Sequence, residues 1–83
     1  MFDREEELDR YLDEIKDMLR RKQYAAVRDL LLPLEPPDIA MLLEEAGEEF
    51  MPLLYRLLPK ELAAETFVEM EPEAQELLIR GFS

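Results

Sequence analysis

Cysteine, histidine and tryptophan are all absent from this sequence of 83 residues, and Ser83 and Thr66 are its only serine and threonine. Without thiol or imidazole groups, the chain cannot assemble a Ser-His-Asp or Cys-His catalytic arrangement, or a zinc site built from those ligands. With only two glycines, Gly47 and Gly81, it also lacks a glycine-rich loop that would hold a phosphate group. These absences predict that the protein is not an enzyme.

Long apolar runs are also missing. No segment approaches the about 20 apolar residues that a membrane-spanning helix needs. The first seven residues are mostly charged, whereas a signal peptide is apolar. The lack of cysteine agrees with a reducing compartment. We therefore expect a cytoplasmic chain that makes no direct contact with a membrane.

Acidic residues outnumber basic ones by 21 to 10, which gives a net charge of −11. The excess is uneven, because residues 1–22 hold 8 acidic and 6 basic side chains whereas residues 23–83 hold 13 acidic and 4 basic ones. An acidic surface repels phosphate backbones, so we expect no nucleic-acid partner. The same surface attracts cations and basic partners. The acidity is equally compatible with a role in solubility alone.

Apolar residues recur at helical spacing along the whole sequence, and no stretch alternates with the period of a strand. Four of the six prolines fall at the boundaries of these helical segments, where proline is best tolerated. Gly47 is placed to end a helix in a backbone conformation with positive φ. The pattern predicts six helices, at about 3–21, 24–32, 37–46, 48–58, 59–70 and 72–81.

The apolar stripes of these helices predict the core. The first two stripes consist of Leu8, Tyr11, Leu12, Ile15, Met18, Leu19, Tyr24, Val27, Leu30 and Leu31. The next two consist of Ile39, Leu42, Leu43, Ala46, Phe50, Leu53, Leu54, Leu57 and Leu58. The last two consist of Leu62, Ala63, Thr66, Phe67, Met70, Ala74, Leu77 and Leu78.

A short phrase recurs in the second half of the chain. Residues 53–56 (LLYR) resemble residues 77–80 (LLIR) at an offset of 77 − 53 = 24, and residues 38–41 precede the first copy much as residues 61–64 precede the second. A fixed period of this length is typical of stacked supersecondary units. It also predicts equivalent surroundings for Leu53 and Leu77.

We therefore predict an all-α protein, a right-handed superhelical stack of about six short helices arranged as helical hairpin repeats. Residues 1–83 would form a single domain. Within it, residues 1–22 would be a long N-terminal capping helix and residues 23–83 the repeats. An exposed end of such a stack favours self-association.

The numerous carboxylates leave a site for a hard cation open. Mg²⁺ keeps several of its waters and takes only one or two carboxylates, so it needs no dense cage of protein ligands. No spacing among the acidic residues matches an EF-hand loop. The alternative is that pairs such as Glu44 and Glu45, or Glu48 and Glu49, are ordinary solvated helix positions.

Three phrases resemble a known family. Residues 36–45 (PPDIAMLLEE), 57–65 (LLPKELAAE) and 72–78 (PEAQELL) resemble, in order and in spacing, phrases of the N-terminal cytoplasmic domain of MgtE-type magnesium transporters. The resemblance covers about residues 8–82. Similar helical repeats occur in the flagellar motor switch protein.

The resemblance implies a cytosolic superhelix that is joined to a pair of CBS modules and then to a membrane pore. It implies that Mg²⁺ binds between this domain and the CBS modules, bridging carboxylates of both, and that the pore shuts when magnesium is abundant. The carboxylate that ends the "LLP-x-x-x-AAE" phrase takes part in that bridge. In this sequence that residue is Glu65, which is therefore the implied metal ligand.

The sequence departs from the family pattern in holding no CBS module and no membrane segment, and it stops before the further repeats of the family's domain. A fragment tethered to the inner membrane through later segments and a stand-alone relative are both compatible with it. Two functions therefore stay open. One is a regulatory magnesium-sensing domain that controls pore gating, and the other is a helical-repeat protein-interaction module with no metal role.

Overall fold

The structure, a computed structural model, describes residues 5–81 and is built from helices connected by short turns. No strand occurs within this range. The all-α prediction is therefore confirmed. The six helices are α1 (Glu5–Arg20), α2 (Tyr24–Leu31), α3 (Pro36–Ala46), α4 (Met51–Arg56), α5 (Lys60–Glu69) and α6 (Pro72–Gly81).

Two pairs of consecutive helices, α1 with α2 and α3 with α4, pack against each other. Helix α1 packs against α2 and α3, α3 packs most extensively against α5, and α4 packs against α6. The arrangement is compatible with a superhelical stack. The hand of the stack and the division into a capping helix and repeats stay predictions.

All six helices contribute side chains to the hydrophobic core or pack against it. Most of the predicted inward positions are confirmed as buried or as partly buried against the core. The apolar side chains with almost no exposed surface are Ile15, Val27, Leu31, Ile39, Leu42, Leu43, Leu54 and Leu78. Leu34 and Met51 are also buried, although the stripes did not include them.

Two predicted core positions are wrong. Tyr24, the first residue of α2, is 43% exposed, and Leu53 is 41% exposed. Helix α4 has only six residues and turns a single narrow face inward, that of Met51 and Leu54. Because neighbouring residues of a helix are about 100° apart, Leu53 falls beside that face.

The sequence repeat is matched by the structure at one pair of leucines and not at the neighbouring pair. Leu54 and Leu78 are equivalent, with 0% and 1% of their surface exposed. Leu53 and Leu77 are not, since Leu77 is partly buried against the core whereas Leu53 is exposed. The prediction of equivalent surroundings for this second pair is wrong.

Helix α1 ends in a Schellman motif. The N–H of Gln23 donates to the carbonyl of Met18 at 2.9 Å, and the N–H of Lys22 donates to the carbonyl of Leu19 at 3.0 Å. Lys22 has a φ of +61°, the left-handed conformation that this motif requires. The helix thus ends near the predicted residue 21, whereas its predicted start at residue 3 lies outside the described residues.

Helix α4 is much shorter than the predicted segment 48–58. Pro52 has no N–H, and its ring would clash with the carbonyl of Glu48 in a continuous helix, so residues 48–50 form a turn instead. At the other end, Leu57 and Leu58 donate to carbonyls three residues back, which tightens the chain before Pro59. The other observed boundaries, from α2 onward, lie within one residue of the prediction.

Candidate functional site

Glu65, the implied metal ligand, lies in the middle of α5 and is exposed. The next residue, Thr66, is completely buried. Helix α5 therefore turns one face to the core, where it meets α3, and presents Glu65 on another. Glu61 and Glu69 lie one helical turn before and after Glu65, and both are exposed.

The backbone around Glu65 is held on both sides by α4 and α6. The hydroxyl of Tyr55 donates to the carbonyl of Ala63 at 3.0 Å, and the side-chain amide of Gln75 donates to the carbonyl of Phe67 at 2.7 Å. The rings of Tyr55 and Phe67 meet edge to face, with centroids 6.5 Å apart. Burial raises the pKa of Tyr55 above its ordinary value of 10.0. Glu65 is therefore carried by a well-fixed segment of helix.

Within residues 5–81 no three acidic side chains are grouped closely enough to hold a metal ion. The carboxylates of α5 are spread along the helix rather than gathered around a point. Such a surface offers one or two oxygens to a hydrated Mg²⁺ ion, and the ion completes its shell with water or with groups from another surface. The described residues therefore do not form a complete metal site by themselves.

A separate groove of about 390 Å³ lies where the end of α3, the start of α4 and the start of α6 meet. Its apolar floor consists of Met51, Ala74 and Leu77. Carboxylates surround this floor, and they belong to Glu44, Glu48, Glu71 and Glu73. We call this surface the acidic groove.

One hydrogen bond fixes the geometry of the acidic groove. The Glu44 carboxylate accepts the backbone N–H of Glu71 at 2.7 Å, which joins the end of α3 to the residue before α6. A charged acceptor on a free N–H at a helix start is among the stronger hydrogen bonds of proteins. The bond therefore links the end of α3 to the residue before α6 and orients the Glu44 carboxylate.

Sequence reasoning singled out several of these glutamates but did not find the groove. The groove depends on the contact between Glu44 and Glu71, which are 27 residues apart in the chain. One signal was available, since Glu48 and Glu71 are separated by 71 − 48 = 23, the same offset as that between residues 38–41 and 61–64. Glu48 lies in the turn before α4, and Glu71 is the residue before α6.

No helix among residues 5–81 combines the length and the apolar character needed to cross a membrane. The described residues define a class of protein, an acidic, all-helical domain with exposed carboxylates along α5 and with the acidic groove between α3, α4 and α6.

Within that class the chain belongs to the family of the MgtE intracellular N domain, which matches residues 34–83. The match takes in helices α3 to α6, and with them Glu65 and the acidic groove. No curated protein matches the chain. The family comprises an intracellular regulatory domain of magnesium transporters and is not a catalytic family. Its partners are accordingly other domains of the same transporter.

Proposed function

We propose that this domain senses intracellular magnesium for its transporter. Glu65 supplies ligand oxygen to a hydrated Mg²⁺ ion that also binds carboxylates of a CBS module of the same transporter. When magnesium is abundant, the bridge holds the two cytosolic parts together and the pore stays shut. When magnesium is scarce, the parts separate. The domain is tethered to the inner membrane through the segments that carry the CBS module and the pore.

The physical basis of the proposal is charge repulsion that a cation reverses. Residues 23–83 carry 13 acidic and 4 basic side chains, so a second acidic surface is repelled when no cation lies between them. A divalent ion is the largest local charge at such a contact and converts the repulsion into attraction. Because few protein ligands are used, binding is weak, and this suits a sensor of an abundant ion.

The observation that carries the proposal is the placement of Glu65. Its side chain is exposed, while the carbonyls two residues before and after it are held by Tyr55 and Gln75. A ligand on a fixed segment loses little conformational freedom when it binds an ion. Because no three acidic side chains among residues 5–81 are grouped, the ion's other ligands would come from water and from the partner surface.

The Glu65→Gln variant tests this role. We expect it to weaken magnesium-dependent association with the CBS module by about tenfold, because the amide keeps the size of the side chain but loses the charged ligand. Isothermal titration calorimetry at millimolar Mg²⁺ measures the association.

Two matched variants serve as controls for Glu65→Gln. Glu69→Gln makes the same change one helical turn away, and Glu14→Gln makes it on α1, where the side chain is also exposed. We expect a smaller effect from Glu69→Gln and almost none from Glu14→Gln. An unchanged association for Glu65→Gln removes Glu65 from the site, and an equal loss in all three variants means that overall charge alone is responsible.

A second function is favoured by one observation, the lack of any three grouped carboxylates among residues 5–81. The domain would then be a helical-repeat module that binds a protein partner without metal. Thermal unfolding with and without Mg²⁺ at matched ionic strength, first alone and then with the CBS module, separates the two. An ion that binds only the folded complex raises its unfolding midpoint. An unchanged midpoint in both cases favours the metal-free module.

A further inference from the structure

We propose that the acidic groove is a docking site for a basic amphipathic helix of a partner, in which an apolar side chain enters the groove and flanking lysines or arginines meet its rim. The proposal does not depend on magnesium. It concerns a surface built by α3, α4 and α6 rather than the α5 surface of Glu65.

The floor of the groove sets the kind of anchor. Met51 and Ala74 are buried and Leu77 is partly buried, so the floor exposes little apolar surface at any one point. A space of about 390 Å³ accepts one or two apolar side chains and not a whole helix.

The carboxylates around the floor, which form the rim of the groove, indicate that a bound partner is positively charged. Glu48, Glu71 and Glu73 are exposed around the floor, and Glu44 is half-buried with its carboxylate held by the N–H of Glu71. No basic residue lines the groove. An occupant with cations on either side of its anchor matches this pattern, because each ammonium or guanidinium meets a carboxylate at the edge of the groove.

A helix is the form of partner that presents this combination most simply. On an amphipathic helix, apolar residues at i and i+3 or i+4 form one stripe, and lysines or arginines on both flanks point to either side of it. A second copy of this chain is a poor occupant, because each copy has a net charge of −11 and repels the other. The same charge attracts a basic partner.

A synthetic peptide provides the probe. It is a helix of about 15 residues made of leucine, alanine and lysine, with the leucines along one face and lysines on both flanks. A control peptide has the same composition, with its leucines distributed around the helix. We expect the amphipathic peptide to bind at least about fivefold more tightly, as measured by fluorescence anisotropy, and to shift the amide NMR signals of Met51 and Leu77.

The protein variants test the site itself. We expect Glu48→Gln with Glu73→Gln to weaken peptide binding about tenfold, and Glu7→Gln with Glu14→Gln on α1, which removes the same charge elsewhere, to change it less than about twofold. Leu77→Ala removes apolar surface from the floor of the acidic groove. We expect it to weaken peptide binding without altering the net charge of the protein. The thermal unfolding midpoint of each variant shows that it is folded.

Three results would overturn the proposal. The first is an equal loss in the α1 variant, which means that the peptide responds only to the overall charge. The second is equal binding of the two peptides, which means that the apolar floor takes no part. The third is a concentration-dependent dimer in sedimentation that the Glu48 and Glu73 substitutions abolish, which identifies a second copy as the occupant.

Discussion

Glu65 and Thr66 are consecutive residues of α5, but one side chain faces solvent and the other faces the core. Glu65 is exposed and available to a partner, whereas Thr66 has no exposed surface. The hydroxyl of Thr66 has no hydrogen-bond partner in the structure. Burying a hydroxyl without a partner costs free energy, which other contacts of the core must offset. The residue that carries this cost, Thr66, is adjacent to Glu65, the proposed metal ligand.

Replacing Thr66 with valine removes the unpartnered hydroxyl and keeps the branched shape of the side chain. We expect the free energy of unfolding to rise by about 1 kcal/mol, since the two residues have similar helix propensities and differ mainly in the hydroxyl. Urea unfolding measures the change. Thr66→Ser, which keeps the hydroxyl and loses a methyl group, should instead lower it by about 1 kcal/mol. A destabilised valine variant would mean that a buried water satisfies the hydroxyl.

At the scale of elements, a few specific contacts join neighbouring helices in addition to the core. Lys16 and Arg20 of α1 each place their charge 5.4 Å from the ring centre of Phe50, the residue before α4. Tyr11 of α1 donates its hydroxyl to the carbonyl of Leu30 in α2 at 3.2 Å. Such contacts fix how neighbouring helices lie on one another, and none follows from periodicity.

The contact between Tyr55 of α4 and Ala63 of α5 gives a prediction for pH. Burial raises the pKa of Tyr55, so the folded state holds this proton more tightly than the unfolded state, whose pKa is near 10.0. The resulting stability is fully present below pH 10 and is lost as the pH rises through the folded pKa. At neutral pH, Tyr55→Phe should lower the free energy of unfolding by about 1 kcal/mol through loss of the hydrogen bond.

Above pH 10 we expect the difference between the wild type and Tyr55→Phe to shrink, as measured by urea unfolding at neutral and alkaline pH. Some alkaline loss remains in the variant because the pKa of Tyr11 is also raised, by burial and, to a lesser degree, by the charge of Glu14. A difference that stays constant across this range would contradict the assigned environment of Tyr55.

The sequence predicted the existence and order of all six helices, because apolar spacing and proline positions are local signals. It failed where a local signal competes with packing. The apolar run around Leu53 is typical of a long helix, but Pro52 delays its start and the short α4 leaves Leu53 outside. The acidic groove could not be predicted from local signals either. It depends on a hydrogen bond between Glu44 and Glu71, which are 27 residues apart in the sequence.

At the scale of the whole molecule, net charge dominates what the domain can do. A chain of net charge −11 attracts cations and basic segments and repels other acidic surfaces unless an ion intervenes. The two proposed sites use this charge differently. The α5 surface is proposed to bind an acidic partner through Mg²⁺, and the acidic groove is proposed to bind a basic partner directly.

The central claim is that Mg²⁺, and not ionic strength, joins this domain to the CBS module. The most direct test is the affinity of the domain for the purified CBS module in sodium chloride and in magnesium chloride at equal ionic strength. We expect binding at least about tenfold tighter with magnesium, because monovalent ions screen the repulsion without bridging the carboxylates. Equal affinity in the two salts, or no association in either, would contradict the account.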